Sequence, residues 1–187
     1  AAGLLTFSSS YGQTYFISLF SGQIMDEFDL SDGAWGGIYT AGTTISAIVM
    51  IWAGALTDKF RVRTLGPIVL AILAAACFAM AMVNSAFLLI FVRFALRFSG
   101  QGMASHTAMV AVARWFVATR GRAMTVASFG FILGNAVLPI IFVSLLEFID
   151  WRLLWVIAAG LTLAVVPALL LLLQKERTPQ SVAKDTQ

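Results

Sequence analysis

Residues 86–109 read AFLLIFVRFALRFSGQGMASHTAM, which places two arginines, Arg93 and Arg97, one helical turn apart in an otherwise apolar stretch. At about 1.5 Å of rise per residue, Arg97 lies roughly 16 Å into the stretch, near the middle of a hydrocarbon layer about 30 Å thick. An arginine at this depth costs about 2.5–3.5 kcal/mol, whereas each Leu, Ile, Phe or Val returns only about 0.3–0.6 kcal/mol. Both cations must therefore face protein or water, and such charge indicates a functional site.

The composition of the whole chain is that of a membrane protein. Hydrophobic residues make up 60% of it and charged residues only 11%, about half the charged fraction of a soluble domain. The net charge is +3, but the cations collect between apolar stretches rather than along one polar face, which argues against nucleic acid as a partner. We predict neither a metal site nor a cofactor, and the single cysteine, Cys77, lies in an apolar run.

Six apolar stretches are long enough to cross a bilayer. We therefore predict an all-α integral membrane protein, a six-transmembrane-helix bundle over residues 1–174, in contact with lipid. The remaining residues, 175–187, are polar and predict a cytoplasmic tail or the start of a central linker. The predicted spans, numbered 1 to 6 in chain order, are approximately 3–25, 34–56, 64–84, 86–109, 123–146 and 151–174.

The distribution of cations predicts an orientation. If the spans alternate in direction, nine of the twelve cations fall on one side and only Arg152 on the other. The nine are Lys59, Arg61, Arg63, Arg114, Arg120, Arg122, Lys175, Arg177 and Lys184. By the positive-inside rule, loops 2–3 and 4–5 and the C-terminus lie in the cytoplasm, and the protein is a multi-pass component of the cell membrane.

The spans differ in polarity. Span 1 carries more hydroxyl and amide side chains than a lipid-facing helix tolerates, whereas spans 3 and 6 carry few polar groups. We expect spans 1 and 4 to line a wet cavity and spans 3 and 6 to face lipid. In span 5, Gly130 and Gly134 have G-x-x-x-G spacing and are followed by Pro139, which predicts close helix packing there.

The loop after span 2 carries a family motif. Its sequence, GALTDKFRVR over 54–63, resembles the major facilitator superfamily signature G-x-x-x-D-[RK]-x-G-[RK]-[RK]. The residues that match are Gly54, Asp58, Lys59 and Arg63, whereas Arg61 and Val62 depart from the pattern. The resemblance implies that Asp58 belongs to a conformational gate, in contact with nearby cations and with a helix N-terminus across a bundle interface. The alternative is a solvated loop charge.

Span 4 extends the resemblance. Residues 97–102, RFSGQG, are similar to the helix-4 motif R-x-x-G-Q-G of the same superfamily, although Arg93 also fits a related form. The segment 115–123 resembles loop 4–5 of monocarboxylate and oxalate/formate-type members. Such transporters have twelve helices in two bundles, so this chain resembles the N-terminal half, and a second six-helix bundle is implied as a partner.

The resemblance and the buried charge together predict an anion site. Arg93, Arg97 and Gln101 lie at i, i+4 and i+8, followed by Ser105, and share one helix face. Arginine suits a carboxylate or phosphate because its fork binds two oxygens. On span 1 we predict three more contacts to substrate, Tyr11, Gln13 and Thr14. The arginines have an alternative role, which is to stabilise the bundle. His106 has two, a coupling proton or an interhelical hydrogen bond.

Four function classes follow from these residues. The leading hypothesis is a secondary active or facilitative transporter of a small organic anion, a carboxylate favoured, working by alternating access. An intramembrane enzyme is disfavoured because Ser99 and the only histidine, His106, lie two turns apart on one helix. A channel is disfavoured because no selectivity-filter sequence is present. A six-helix subunit that must pair with another bundle, and transports nothing alone, stays open.

Overall fold

A computed structural model describes residues 1–116 and 119–173, and within these ranges all the regular structure is helical. The predicted tail over 175–187 lies outside the described residues. The α-helices, in chain order, are α1 (Ala2–Ser8), α2 (Thr14–Ser18), α3 (Ser21–Glu27), α4 (Asp32–Ala53), α5 (Leu56–Lys59), α6 (Val62–Ala81), α7 (Ala86–Leu96), α8 (Ser105–Trp115), α9 (Arg120–Leu146) and α10 (Trp151–Leu172). A 3₁₀ turn, Ser9–Gly12, follows α1, and a π-helical segment, Arg97–Ala104, joins α7 to α8.

Five continuous helical stretches in the described residues are long and apolar enough to cross a membrane. They correspond to predicted spans 2 to 6, and are Asp32–Lys59, Val62–Ala81, Ala86–Trp115, Arg120–Leu146 and Trp151–Leu172. The described residues thus hold long apolar helices at five of the six predicted spans, and the count of six is not confirmed. The prediction of one continuous helix over 3–25 was wrong, because this segment is divided among α1, the 3₁₀ turn, α2 and α3.

The break in the first segment has a local and a tertiary cause. Ser8, Ser9 and Ser10 precede Tyr11 and Gly12, and serine and glycine are weak helix formers. The Ser9 hydroxyl donates to the Thr6 carbonyl at 2.7 Å, a local bond typical of serines that compete with regular structure. Gln13 is then extended, with ψ of 153°. Several short helical elements thus replace one continuous helix in this segment.

Side-chain caps mark where three of the long helices begin. The Ser31 hydroxyl accepts from the Ala34 amide at the start of α4, and the Ser85 hydroxyl accepts from the Leu88 amide at the start of α7. The Asp150 carboxylate accepts from the Arg152 amide at the start of α10. Because each cap satisfies an amide that the first helical turn leaves free, the spans begin close to where the sequence predicts.

The spans differ in how much of each is buried against the others. α6 packs chiefly on α10, and 56% of its most apolar stretch is buried, the largest share of the five spanning stretches. Small residues allow this approach: a Cβ on Gly66 would lie 3.1 Å from Leu169 Cδ2. α4 and α9 are the least buried, at 22% each. α6 thus buries one face, whereas other apolar side chains on it, among them Ile68 and Phe78, are exposed, and the lipid-facing position of spans 3 and 6 stays a prediction.

An aromatic cluster holds the first segment against α9 and α10. Phe16 is fully buried, and its ring meets Phe142 at 4.9 Å and Trp155 at 5.3 Å between centroids, both edge to face. Tyr11 meets Phe16 at 5.2 Å in the same way. Such pairs add about 0.5–1.5 kcal/mol each beyond the burial of their area. The cluster therefore anchors the broken segment where its own helices are too short to do so.

An ionic clasp ties the end of α3 to the start of α10. The Glu27 carboxylate accepts from Arg152 Nη2 at 2.5 Å and from Trp151 Nε1 at 2.9 Å. Arg152 Nη1 also donates to the Ala81 carbonyl at 2.7 Å, so the clasp includes the last turn of α6. The hydrogen bond from Arg152 lowers the pKa of the Glu27 carboxyl below its ordinary value, and the one from Trp151 adds to this effect.

The clasp predicts an acid-sensitive contribution to stability. The Glu27 carboxyl has a lower pKa in the folded protein than its ordinary value of 4.5. Its salt bridge with Arg152 therefore contributes fully to stability above pH 4.5, and this contribution is lost as the pH falls through the pKa of the folded protein. The Glu27 side chain is 40% exposed, so screening limits the contribution to about 0.2–1 kcal/mol. We expect the difference in melting temperature between the wild type and Glu27→Gln to be present above pH 4.5 and to decrease as the pH falls below it. A difference that does not change with pH would contradict this assignment.

Candidate functional site

A polar cluster lies where the broken first segment meets the π-helical part of span 4. Arg97 Nη1 donates to Thr14 Oγ1 at 2.6 Å and also to Gln101 Oε1. All three side chains are half-buried, and none of the residues described carries a carboxylate within ion-pair distance of Arg97. Arg97, Gln101 and Thr14 were each predicted as substrate contacts, and the structure brings these three together.

The backbone places these side chains. Thr14 is the first residue of α2, directly after extended Gln13, and Arg97 is the first residue of the π-helical segment. Two glycines bring the segments together: a Cβ on Gly12 would lie 2.7 Å from Gly100 Cα, and one on Gly100 would lie 2.6 Å from Gly12 Cα. π-Helical turns are rare and occur often at functional sites. Two irregular segments in direct backbone contact therefore form the floor of the cluster.

Tyr39, on α4, extends the cluster and was not predicted. Its hydroxyl lies 2.6 Å from Thr14 Oγ1, so Thr14 is shared between Tyr39 and Arg97. In the sequence, the only indication was one tyrosine among the small residues of span 2. The sequence of one span does not show which way its helix is rotated. The cluster thus joins the first segment, α4 and span 4.

Arg93 departs from the predicted stripe. Its side chain is 3% exposed, its Cζ lies 4.1 Å above the Tyr39 ring, and a Cβ on Gly42 would meet its Cγ at 2.7 Å. None of its three guanidinium nitrogens has a hydrogen-bond partner in the described part of the chain. Arg93 is therefore packed between α4 and α7, whereas Arg97 is half-buried, and the role of Arg93 as a substrate contact stays a prediction. The cause is tertiary, because the small residue at Gly42 lets α4 cover this arginine.

The other two predicted substrate contacts on span 1, Tyr11 and Gln13, are buried. Tyr11 is 1% exposed and belongs to the aromatic cluster with Phe16 and Phe142. Gln13 is 7% exposed, and its carbonyl accepts from the Ile17 amide as α2 begins. Their role as substrate contacts stays a prediction.

The predicted gate motif forms a second polar group, at the end of α4. Asp58 Oδ1 accepts from Arg114 Nη2 at 2.7 Å, and Arg114 Nη1 donates to the Thr57 carbonyl at the same distance. The Thr57 hydroxyl lies 3.3 Å from His106 Nε2 and donates to the Gly54 carbonyl. Arg114, which the motif does not include, is thus the cation that meets Asp58.

The other members of the motif lie around this pair. A Cβ on Gly54 would lie 3.2 Å from the Met50 carbonyl and 3.7 Å from His106 Nε2, so glycine leaves room for the histidine. Lys59 and Arg63 are exposed at the end of α5 and the start of α6. The motif therefore connects α4, α5 and α8 through short polar contacts.

The glycines of span 5 pack on the first segment. A Cβ on Gly130 would meet the Gly3 carbonyl and the Thr6 hydroxyl, and one on Gly134 would meet the Ser10 hydroxyl. The Thr6 hydroxyl donates to the Ala127 carbonyl at 2.6 Å across the same interface. Pro139 lies half-buried inside α9 without ending it. Close packing therefore holds α1 and the 3₁₀ turn against α9.

The chemistry available to the site is that of binding. Over 1–116 and 119–173, no group of three His, Cys, Asp or Glu side chains is placed to hold a metal ion. A cleft of about 500 Å³ opens between α1, α8 and α9, but its lining includes Trp115, Phe116 and Val126 and not Arg97. The cluster around Arg97 can attract and orient an anion through a charge-assisted hydrogen bond, and offers no nucleophile and base in contact.

Comparison with known proteins agrees with the helical architecture. No curated protein matches the chain. The model of the family described as Major Facilitator Superfamily matches residues 2–187, which is nearly the whole sequence. Members of this superfamily are membrane transporters rather than enzymes. The five helices over 1–116 and 119–173 that are long and apolar enough to cross a membrane agree with an integral membrane protein. The chain therefore belongs to the Major Facilitator Superfamily.

Proposed function

We propose that this protein transports a small organic anion, a carboxylate favoured, and that Arg97 binds the anionic group. The observation that supports this is a half-buried guanidinium, at mid-depth in its span, held by Thr14 and Gln101. The sequence places no Asp or Glu inside this span, and the described residues offer no carboxylate to neutralise Arg97. An anionic substrate would supply the missing charge and can replace Thr14 or Gln101 as acceptor.

Transport would proceed by alternating access between two bundles, of which this chain supplies one. Support comes from α4 and α9, which expose large apolar side chains, among them Ile51 at 73% and Ile140 at 70%. Unpaired apolar faces of this kind suit a second bundle or lipid. In this proposal the chain corresponds to one half of a twelve-helix transporter, with the Arg97 cluster in the passage between the halves.

The positive-inside rule supports an orientation with the Asp58 end in the cytoplasm. There the ion pair between Asp58 and Arg114 joins α5 to α8 at 2.7 Å. It is exposed, so its contribution to stability is small, and its proposed role is to favour one of the two access states. His106 lies within reach of Thr57 and so responds to the same movement.

Substitution of Arg97 tests the proposal. The complete transporter, reconstituted in proteoliposomes, is assayed for uptake of labelled acetate, pyruvate and malonate. A charge-assisted hydrogen bond is worth about 1.5–3 kcal/mol, so Arg97→Ala is expected to lower uptake about 10- to 150-fold. Arg97→Lys keeps the positive charge but lacks the planar guanidinium group that can bind two oxygens at once. We expect it to lose most of the uptake as well. Both variants should still insert into the membrane.

The matched control is Arg122→Lys, an exposed arginine at the start of α9. We expect it to take up the same carboxylates at the wild-type rate. Normal uptake by both Arg97 variants would remove Arg97 from the site and would contradict the proposed function.

A further inference from the structure

The guanidinium of Arg93 stacks on the Tyr39 ring and has no carboxylate within ion-pair distance among the described residues. Arg93 is 3% exposed, and its Nε, Nη1 and Nη2 all lack a hydrogen-bond partner among these residues. All the carboxylates in these residues lie at or beyond the ends of the spans, at Asp26, Glu27, Asp29, Asp32, Asp58, Glu147 and Asp150. A buried cation without an anion is costly, because both its hydration and its pairing are lost.

The geometry limits what can neutralise Arg93. The Tyr39 ring covers one side of the guanidinium at 4.1 Å, and α4 approaches the aliphatic part so closely that only glycine fits at position 42. An organic substrate, or a side chain from another bundle, would need space for several atoms beside this ring. A ligand of one or two atoms would need much less space.

A second group at this interface also lacks a partner. Thr43 lies one turn after Tyr39 on the same face of α4, and its hydroxyl is buried without a hydrogen bond. A hydroxyl can donate, and a guanidinium only donates, so the α4–α7 interface has donors in excess of acceptors. A ligand that only accepts hydrogen bonds satisfies this imbalance.

We infer that Arg93 binds a small inorganic anion of the size of chloride, at a site between α4 and α7 that is separate from the proposed substrate site at Arg97. The anion accepts hydrogen bonds from the guanidinium and from the Thr43 hydroxyl, and it sits beside the Tyr39 ring. Because the Tyr39 hydroxyl contacts Thr14, which in turn contacts Arg97, the two sites share a wall.

The test is the dependence of thermal stability on chloride. The melting temperature of the complete transporter in detergent is measured at a series of chloride concentrations, with the larger anion gluconate making up a constant ionic strength. Binding to the folded state alone raises the melting temperature, so we expect a saturable rise of about 4 °C between about 1 and about 200 mM chloride. A wild-type melting temperature that does not change with chloride overturns the inference without recourse to any variant.

Variants then assign the effect to Arg93. Arg93→Met removes a buried cation that makes no hydrogen bond, so the variant should melt in gluconate no lower than the wild type and should show no rise with chloride. Arg97→Met, which removes the neighbouring arginine, should keep the rise. Thr43→Val should shift the midpoint of the titration at least about threefold, as expected for one lost hydrogen bond.

Each remaining outcome is informative. An undiminished chloride effect in Arg93→Met would overturn the assignment. If Arg93→Met melts well below the wild type, the arginine has a structural role, and the inference then depends on Arg93→Lys, which should weaken the effect rather than preserve it. The proposed function is tested separately by carboxylate uptake in the Arg97 variants, so the two fail independently.

Discussion

Gly12→Val is expected to prevent the protein from folding. A Cβ at this position would collide with the Leu96 carbonyl and lie 2.7 Å from Gly100 Cα, and both obstacles are backbone atoms that no change of rotamer can move. Overpacking in a core costs about 1–3 kcal/mol where side chains can adjust, and more where they cannot. A β-branched residue adds two further methyl groups, so the first segment and span 4 would be forced apart at the floor of the Arg97 cluster.

The measurement is the fraction of monodisperse protein after extraction in detergent, together with its melting temperature. Gly160→Val is the matched control, because a Cβ on Gly160, within α10, would meet nothing within 4 Å. We expect the control to resemble the wild type while Gly12→Val yields aggregated protein. If Gly12→Val and Gly160→Val have the same melting temperature, the first segment and span 4 do not touch at Gly12.

Gly134→Val is expected to have the second largest effect, a fall in melting temperature of at least about 8 °C. Its Cβ would collide with the Ser10 hydroxyl and lie 2.9 Å from Ser10 Cβ, so α9 would move away from the 3₁₀ turn. The serine side chain can rotate and the turn can yield slightly, which is why some folded protein should remain. Because the 3₁₀ turn leads directly into Gln13 and Thr14, the displacement should also reduce carboxylate uptake.

The control for this variant lies on the same helix. Gly121, in the first turn of α9, has nothing within 4 Å of a built Cβ, so Gly121→Val should keep both the melting temperature and the uptake of the wild type. Equal melting temperatures for the two variants would contradict the close packing of α9 on the first segment.

Much of the fold was predictable because membrane insertion is a sum of local terms. Spans 2 to 6 appear as continuous helices within a few residues of the predicted limits, since each apolar run contributes its transfer free energy independently of its neighbours. Ser31, Ser85 and Asp150 begin helices through bonds to amides two or three residues later. The polar run Ser8–Gly12 was recognised as unsuited to lipid, but a break in the helix was not predicted from it.

Most residues of the polar cluster around Arg97 were predicted from the sequence, but the contacts that join them across helices were not. Arg97, Gln101 and Thr14 were identified from charge at depth and from polar residues on span 1. Tyr39 and Arg114 were missed, because each becomes important through a contact with a residue 25 or more positions away. No periodicity within one helix carries that information.

The amino-acid sequence alone determined that this is a helical membrane protein with arginines at mid-depth, and it identified the superfamily through the loop after span 2. Only the tertiary structure distinguished the arginines: Arg97 meets Thr14 in a half-buried cluster, whereas Arg93 is covered by Tyr39. The physical reason is that hydrophobicity adds up along a single chain segment. The direction and burial of a side chain depend instead on how each helix is rotated against its neighbours, which here is decided by backbone contacts at Gly12, Gly42 and Gly100.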